Sequence, residues 1–161
     1  MGTLRVRALI SAPLSQVWDF LIRPENMHLW GPLTRPVTGI DRALQAGDRV
    51  TQYREDFFRR YSQVVLIEEV VPYRSMRLRD LSRTGIKLNA GGIISVEPTG
   101  EGEATWIEEA TFYSLGNSRL MQWLDRRLIH LILQLVAEYK VNKAFRRLQA
   151  IMASSHVQVS S

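Results

Sequence analysis

Cysteine is absent from this 161-residue chain, so disulfides, thiolate metal sites and cysteine nucleophiles are all excluded. Histidine is scarce. His28, His130 and His156 are too scattered for a zinc site, and neither a metal nor another cofactor is expected. No apolar run reaches the roughly 18 residues of a membrane-spanning helix, so a transmembrane segment is not expected. The chain enters a strand pattern at Leu4–Ile10 without the apolar core of a signal peptide, which gives a cytoplasmic location as the expectation. Gly-rich phosphate loops, RNA-recognition signatures and helix-turn-helix patterns are missing, and a specific nucleic-acid partner is not expected. The net charge of +5 and pI near 10.0 favour anionic partners only in general.

Proline and glycine are also missing from one long stretch, Asn117 to Met152, which reads as a single helix opening after Gly116. About 36 residues would span roughly 54 Å, more than a small domain needs. Its halves differ. In the C-terminal half Val141, Ala144, Phe145, Leu148, Ile151 and Met152 form one apolar stripe. Continued towards the N-terminus, that stripe meets Glu138, Gln134, His130, Arg127 and Trp123 and becomes polar, while Leu128 to Val136 is apolar on most sides. Three readings follow: a bend near Ala137 to Lys140 with the polar row solvated, a cavity walled by the first half, or a subunit contact through Ile129, Ile132, Leu133 and Val136.

The rest of the chain carries shorter periods. Leu4, Val6, Ala8 and Ile10 alternate as a first strand, and Pro13 then opens a helix with Val17, Trp18, Leu21 and Ile22 on one face, stopped by Pro24. A second short helix is expected at Glu25–Leu29, then an exposed connection from Gly31 to Val37. Six strands follow at Val37–Ala43, Arg49–Phe57, Ser62–Val71, Ser75–Leu81, Ile86–Val96 and Ala104–Ser114, separated by turn signals. With the first they predict a seven-stranded antiparallel sheet, an α+β fold in which only the long helix is large enough to cover the apolar face. Residues 1–153 read as one domain and 154–161 as a polar, disordered tail. Gly91-Gly92, inside a strand pattern, predicts a bulge or bend.

This order resembles the helix-grip fold of the START-like superfamily, and within it the polyketide cyclase/dehydrase and lipid-transport group. The residues carrying the resemblance are Ala12-Pro13 with Val17-Trp18, Pro24-Glu25-Asn26 leading to Trp30, Gly47-Asp48-Arg49-Val50, Glu69-Val70-Val71-Pro72 and the long final helix. It spans nearly the whole chain, and each motif is short. It implies a cavity between sheet and helix for an apolar lipid, polyketide-like or aromatic ligand, and no particular reaction.

Candidate site residues follow from both lines. His130 is the candidate general base, with Gln134 and Glu138 on its row. Arg127, beside Arg126, is a candidate anchor for an anionic head group, and Trp123 continues the row. Trp30 is placed near the cavity entrance by the resemblance, as lid or as loop staple. On the strands Glu68, Asp80 and Glu108 fall in phase with Leu66, Leu78 and Trp106, and Arg54 is a possible counter-ion, with the register open by one residue. Phe57-Phe58-Arg59-Arg60-Tyr61 at a hairpin tip suits a peripheral contact with an anionic surface. The expected function is binding or carriage of an apolar ligand by Trp30, Arg54, Trp106, Trp123, Arg127, His130 and Gln134. The alternatives are a cyclase/dehydratase-type enzyme and a protein that self-associates, as a homodimer through the C-terminal helix, or binds anionic surfaces.

Overall fold

The computed structural model describes residues 2–31, 33–56, 59–81, 87–114 and 130–159, with the backbone alone at 56, 59, 87–90, 113, 114, 130, 133 and 155–159. Six strands form one open antiparallel sheet: β1 (Gly2–Ile10), β2 (Arg49–Asp56), β3 (Arg59–Val71), β4 (Ser75–Asp80), β5 (Lys87–Pro98) and β6 (Thr105–Ser114), in spatial order β1-β6-β5-β4-β3-β2. Between β1 and β2 lie α1 (Leu14–Leu21), a 3-10 turn (Pro24–Asn26) and α2 (Met27–Trp30); α3 (His130–Val159) comes last. Hairpins join β2 through β6 in sequence, and the first strand closes onto the last.

The fold class is the expected α+β arrangement, with one strand fewer. Val37–Ala43 is irregular. Its alternation is interrupted at Gly39, which takes φ +87°, and at Leu44 the backbone N–H bonds to the Ile22 carbonyl at the end of α1 rather than to a strand. A fork from Arg42 to Asp48, with both nitrogens 2.8 Å from carboxylate oxygens, then holds the turn into β2. The Arg42 guanidinium, joined by the Gln45 N–H, holds the Asp48 carboxyl below the usual range against the opposing effect of burial. Val37 and Leu44 are buried in the core instead of paired in the sheet.

Alternation sorts the strands into two faces. Outward, ion pairs cross between strands: Arg5 to Glu108 at 2.9 Å, Arg7 to Glu97 at 3.0 Å and Arg79 to Glu68 at 2.9 Å. Inward, Ile10, Val50, Ile67, Met76, Val96 and Ile107 meet Val17, Trp18 and Leu21 of α1 and Val141, Phe145, Leu148 and Met152 of α3. The C-terminal half of α3 therefore lays the expected stripe into the core.

The helix is unbroken from His130 through Ala137–Lys140 to Val159. It also runs through Ser154, where the disordered tail was expected to begin. The Ser154 hydroxyl bonds back to the Ile151 carbonyl at 2.8 Å, a bond compatible with continuing helix. Residues 160 and 161, and Asn117 to Ile129 of the expected helix, lie outside the described residues, as do Phe57 and Phe58 of the hairpin tip.

Candidate functional site

The site forms where the inner face of the sheet stops being apolar. Two residues beyond each core position towards one end of the sheet, the side chain changes character. Val50 is followed by Gln52 and Arg54 on β2, Ile67 and Val65 are preceded by Gln63 on β3, and Met76 and Leu78 lead to Asp80 on β4. On β5 Ile94 is preceded by Gly92, and on β6 Ile107 leads to Glu109 and Thr111. Because the strands are antiparallel, the change falls alternately after and before the apolar residue, as one end of the sheet requires.

These side chains line a pocket walled by Met27, Trp30 and Gly31 of the α2 region and by Leu33, with about 590 Å³ between its walls, open mouth included. Gly91 and Gly92 let β5 pass beside it. Gly91 has φ +139°, and a Cβ there would collide with the Leu78 carbonyl; one on Gly92 would stand 2.8 Å from the Ala110 carbonyl. The register also shifts between Lys87 and Gly91, so the expected irregularity at the glycine pair is present. Leu33 bridges to Arg54 and the Thr34 N–H bonds to the Tyr53 carbonyl at 2.8 Å, which ties the pocket wall to the edge of β2.

The polar groups are organised in two pairs. Arg54 donates from Nη1 to Gln63 Oε1 at 3.1 Å, a diagonal contact across the β2–β3 ladder. Thr111 donates its hydroxyl to Glu109 Oε1 at 3.1 Å, the two residues sharing one face of β6. Burial pushes the Glu109 carboxyl above its usual range, and the Arg54 cation and the Thr111 hydroxyl pull against it. A flat sheet would hold β2 and β6 roughly 19 Å apart, four strand spacings, yet Arg54 and Glu109 line the same pocket, so the sheet curls around it. Trp30 is 4% exposed, and its buried indole Nε1 finds no acceptor among the described residues.

The expected site residues separate. Trp30 and Arg54 line the pocket together, and Asp80 joins them. Trp106 lies on the outer face, opposite Leu9 and Glu97, with the Arg7 guanidinium 4.5 Å from its ring centre. Glu108 and Glu68 are outward too, each in an ion pair with an arginine. The inward carboxylate of β6 is Glu109, one residue on. Gln134 faces the edge of the sheet, where its Nε2 donates to the Arg5 carbonyl at 2.9 Å and to Glu138 at 2.8 Å. Trp123 and Arg127 lie outside the described residues, as does the side chain of His130. Residue reading missed Gln52, Gln63, Glu109 and Thr111. Their signal is a row of alternate apolar residues turning polar on several strands at once, visible only when the register is known.

Among the described residues no cluster of three or more metal-ligating side chains occurs, and no helix is long and apolar enough to cross a membrane. No protein-family model matches the chain, and no curated protein matches it by sequence. Solved structures do match in fold. A conserved protein from Geobacillus kaustophilus superposes with a TM-score of 0.69 at 14% identity, covering 96% of this chain and 97% of that one. Protein Ms6760 from Mycobacterium smegmatis gives 0.64 at 19% identity, covering 96% and 92%. DynU16, a protein of the dynemicin biosynthetic locus, gives 0.57 at 14% identity, covering 92% of this chain and 48% of that one. These likenesses, with the sheet order and the final helix, fit a helix-grip fold.

Proposed function

We propose that this chain is a START-like binding protein that holds an apolar small molecule in the pocket between the inner face of the sheet and α2. The observation that carries the reading is the pocket itself: an apolar wall of Met27, Trp30 and Leu33 over a few convergent polar groups, Arg54 and Glu109 among them. Buried polar groups are costly in a core built only for stability. Placing them on successive strands at one end of the face supports a role in binding. The likeness to DynU16, from a biosynthetic locus, is compatible with a polyketide-like or aromatic ligand. Native mass spectrometry of freshly purified protein, followed by denaturation and organic extraction, tests the reading. A retained stoichiometric apolar compound supports it. Empty protein that also takes up none of a panel of fatty acids, sterols and aromatic polyketides contradicts it.

One observation favours a second reading, a cyclase/dehydratase-type enzyme. Glu109 is a carboxyl group that burial holds above its ordinary pKa, against the opposing pull of the Arg54 cation, as is common for acids that take part in proton transfer. Glu109→Gln would then abolish turnover while leaving ligand uptake intact, whereas a carrier would keep its only measurable activity, binding.

A further inference from the structure

The apolar wall of the pocket carries a polar group that the proposed function does not use. Trp30 ends the short helix α2 and lines the pocket with Met27 and Leu33, and its buried indole Nε1 finds no acceptor among the described residues. A buried N–H left unpaired is costly. The polar groups on the sheet side are placed differently, since Arg54 donates to Gln63 at 3.1 Å and Thr111 to Glu109 at 3.1 Å. On the wall itself the Met27 carbonyl already accepts from the Gly31 N–H at 2.8 Å. Ring surface alone is available from a phenylalanine, which brings no donor to satisfy, so packing does not account for the indole nitrogen. The nitrogen is also shielded from water in this structure, and an acceptor reaches it by displacing part of the wall. Met27 is unbranched and Leu33 is only partly buried, which gives the wall that freedom.

Resting on the binding reading, we infer that the Trp30 indole N–H is the donor by which the pocket recognises its ligand, an apolar molecule with a carbonyl-type oxygen that accepts from Nε1 while its skeleton packs on Met27 and Leu33. The unpaired donor then becomes a source of specificity. A skeleton without the oxygen fills the same space and leaves the N–H unsatisfied, and a site discriminates against an analogue that leaves its buried donor unpaired.

Two probes of the same shape, 2-acetylnaphthalene and 2-isopropylnaphthalene, differ in the acceptor. Each is titrated against the full chain, with affinities read by calorimetry and the indole N–H signals by NMR, the Trp30 signal being assigned through bonds to its own ring. That signal should move downfield with the ketone and exchange with solvent more slowly than when the hydrocarbon is bound. In Trp30→Phe the preference for the ketone over the hydrocarbon should fall about tenfold relative to wild type, a comparison in which ring packing and ligand desolvation cancel. Circular dichroism melting checks that the variant is folded, and the wild-type NMR response stands without it. If both probes bind and the Trp30 N–H responds alike to each, or the ketone preference is unchanged in Trp30→Phe, the inference is overturned while the binding reading stands. Uptake of neither probe overturns it together with the pocket as a site for aromatic ligands.

Discussion

The two ends of the inner sheet face have the same backbone and opposite contents. At one end Ile107 and Ile67 are fully buried against Leu148 of α3, with no charged side chain in the core among the described residues; at the other Gln52, Arg54, Gln63, Asp80 and Glu109 gather around a pocket. Both ends obey the same alternation. Among the described residues the two ends also differ in what covers them: the first is sealed by α1 and the C-terminal half of α3, the second is bordered by the four-residue α2 and the Leu33 segment. Close packing explains the first end without reference to function. The second keeps polar groups that packing alone does not call for, which supports the proposed binding there.

The sharpest contrast is expected from truncation. Leu148→Ala at the sealed end, where the side chain is 0% exposed, should cost about 3–5 kcal/mol in urea unfolding, because the cavity cannot fill with water or collapse freely. Leu33→Ala at the pocket wall, already partly exposed, should cost about 1 kcal/mol or less and should weaken ligand uptake instead. Equal costs would erase the distinction between the ends.

Gly91→Ala ranks next. The added methyl would meet the Leu78 carbonyl from a φ of +139°, so a loss of about 2 kcal/mol or more is expected, with disturbed binding. Glu109→Gln should move stability the other way. A carboxyl whose folded pKa is raised leaves the native state unpenalised below its unfolded pKa, and stability is lost as pH rises through the folded value. The variant should therefore melt at a higher temperature than wild type at pH 7–8, with no difference near pH 3.

Asp48→Asn should give the smallest effect, at the turn outside both ends. The folded pKa of Asp48 is depressed, so its contribution is present above the unfolded pKa and fades as pH falls through the folded one. Its Arg42 partner is half exposed, and screening limits the expected fall in Tm to about 2 °C at neutral pH.

Much of the sealed end was legible in the sequence. The Val141–Met152 stripe, the Val17-Trp18-Leu21 face and the period-2 rows each carry their burial in their spacing, because a helix or strand shows one face at a fixed interval. Val37–Ala43 misled because it holds the β-branched Val37, Thr38 and Ile40 between turn signals, while Val37 and the following Leu44 are buried along a loop tied to the end of α1 by the Leu44 N–H. The pocket was legible only in part. Trp30 and Arg54 stand in it, but β6 offers Glu108 and Glu109 side by side, and no local feature says which one turns inward. Pairing does: Glu109 opposite Val6 and Ile94 is inward, and Glu108 opposite Arg7 and Ser95 is outward. A one-residue choice of register exchanges an ion-paired surface acid for the carboxyl group of the site.

The partnership expected of α3 through Ile129, Ile132, Leu133 and Val136 remains a proposal of its own: Ile132 is 51% exposed, Val136 is half-buried, and Ile129 and the side chain of Leu133 lie outside the described residues. A different row at helical spacing, Leu131, Leu135 and Tyr139, is exposed at 59%, 58% and 67%. Light scattering across concentration tests homodimerisation there, and Leu135→Glu should return any dimer to monomer.

The division of the sheet face is tested most directly by amide NMR during titration with 2-acetylnaphthalene. Binding at the polar end should shift the amides of Gln52–Arg54, Gln63, Asp80 and Glu109–Thr111 together, in a saturable and stoichiometric way, and leave those of Val96, Ile107 and Leu148 in place. Shifts confined to the Leu131–Tyr139 row of α3, or spread over the sealed end, would contradict it.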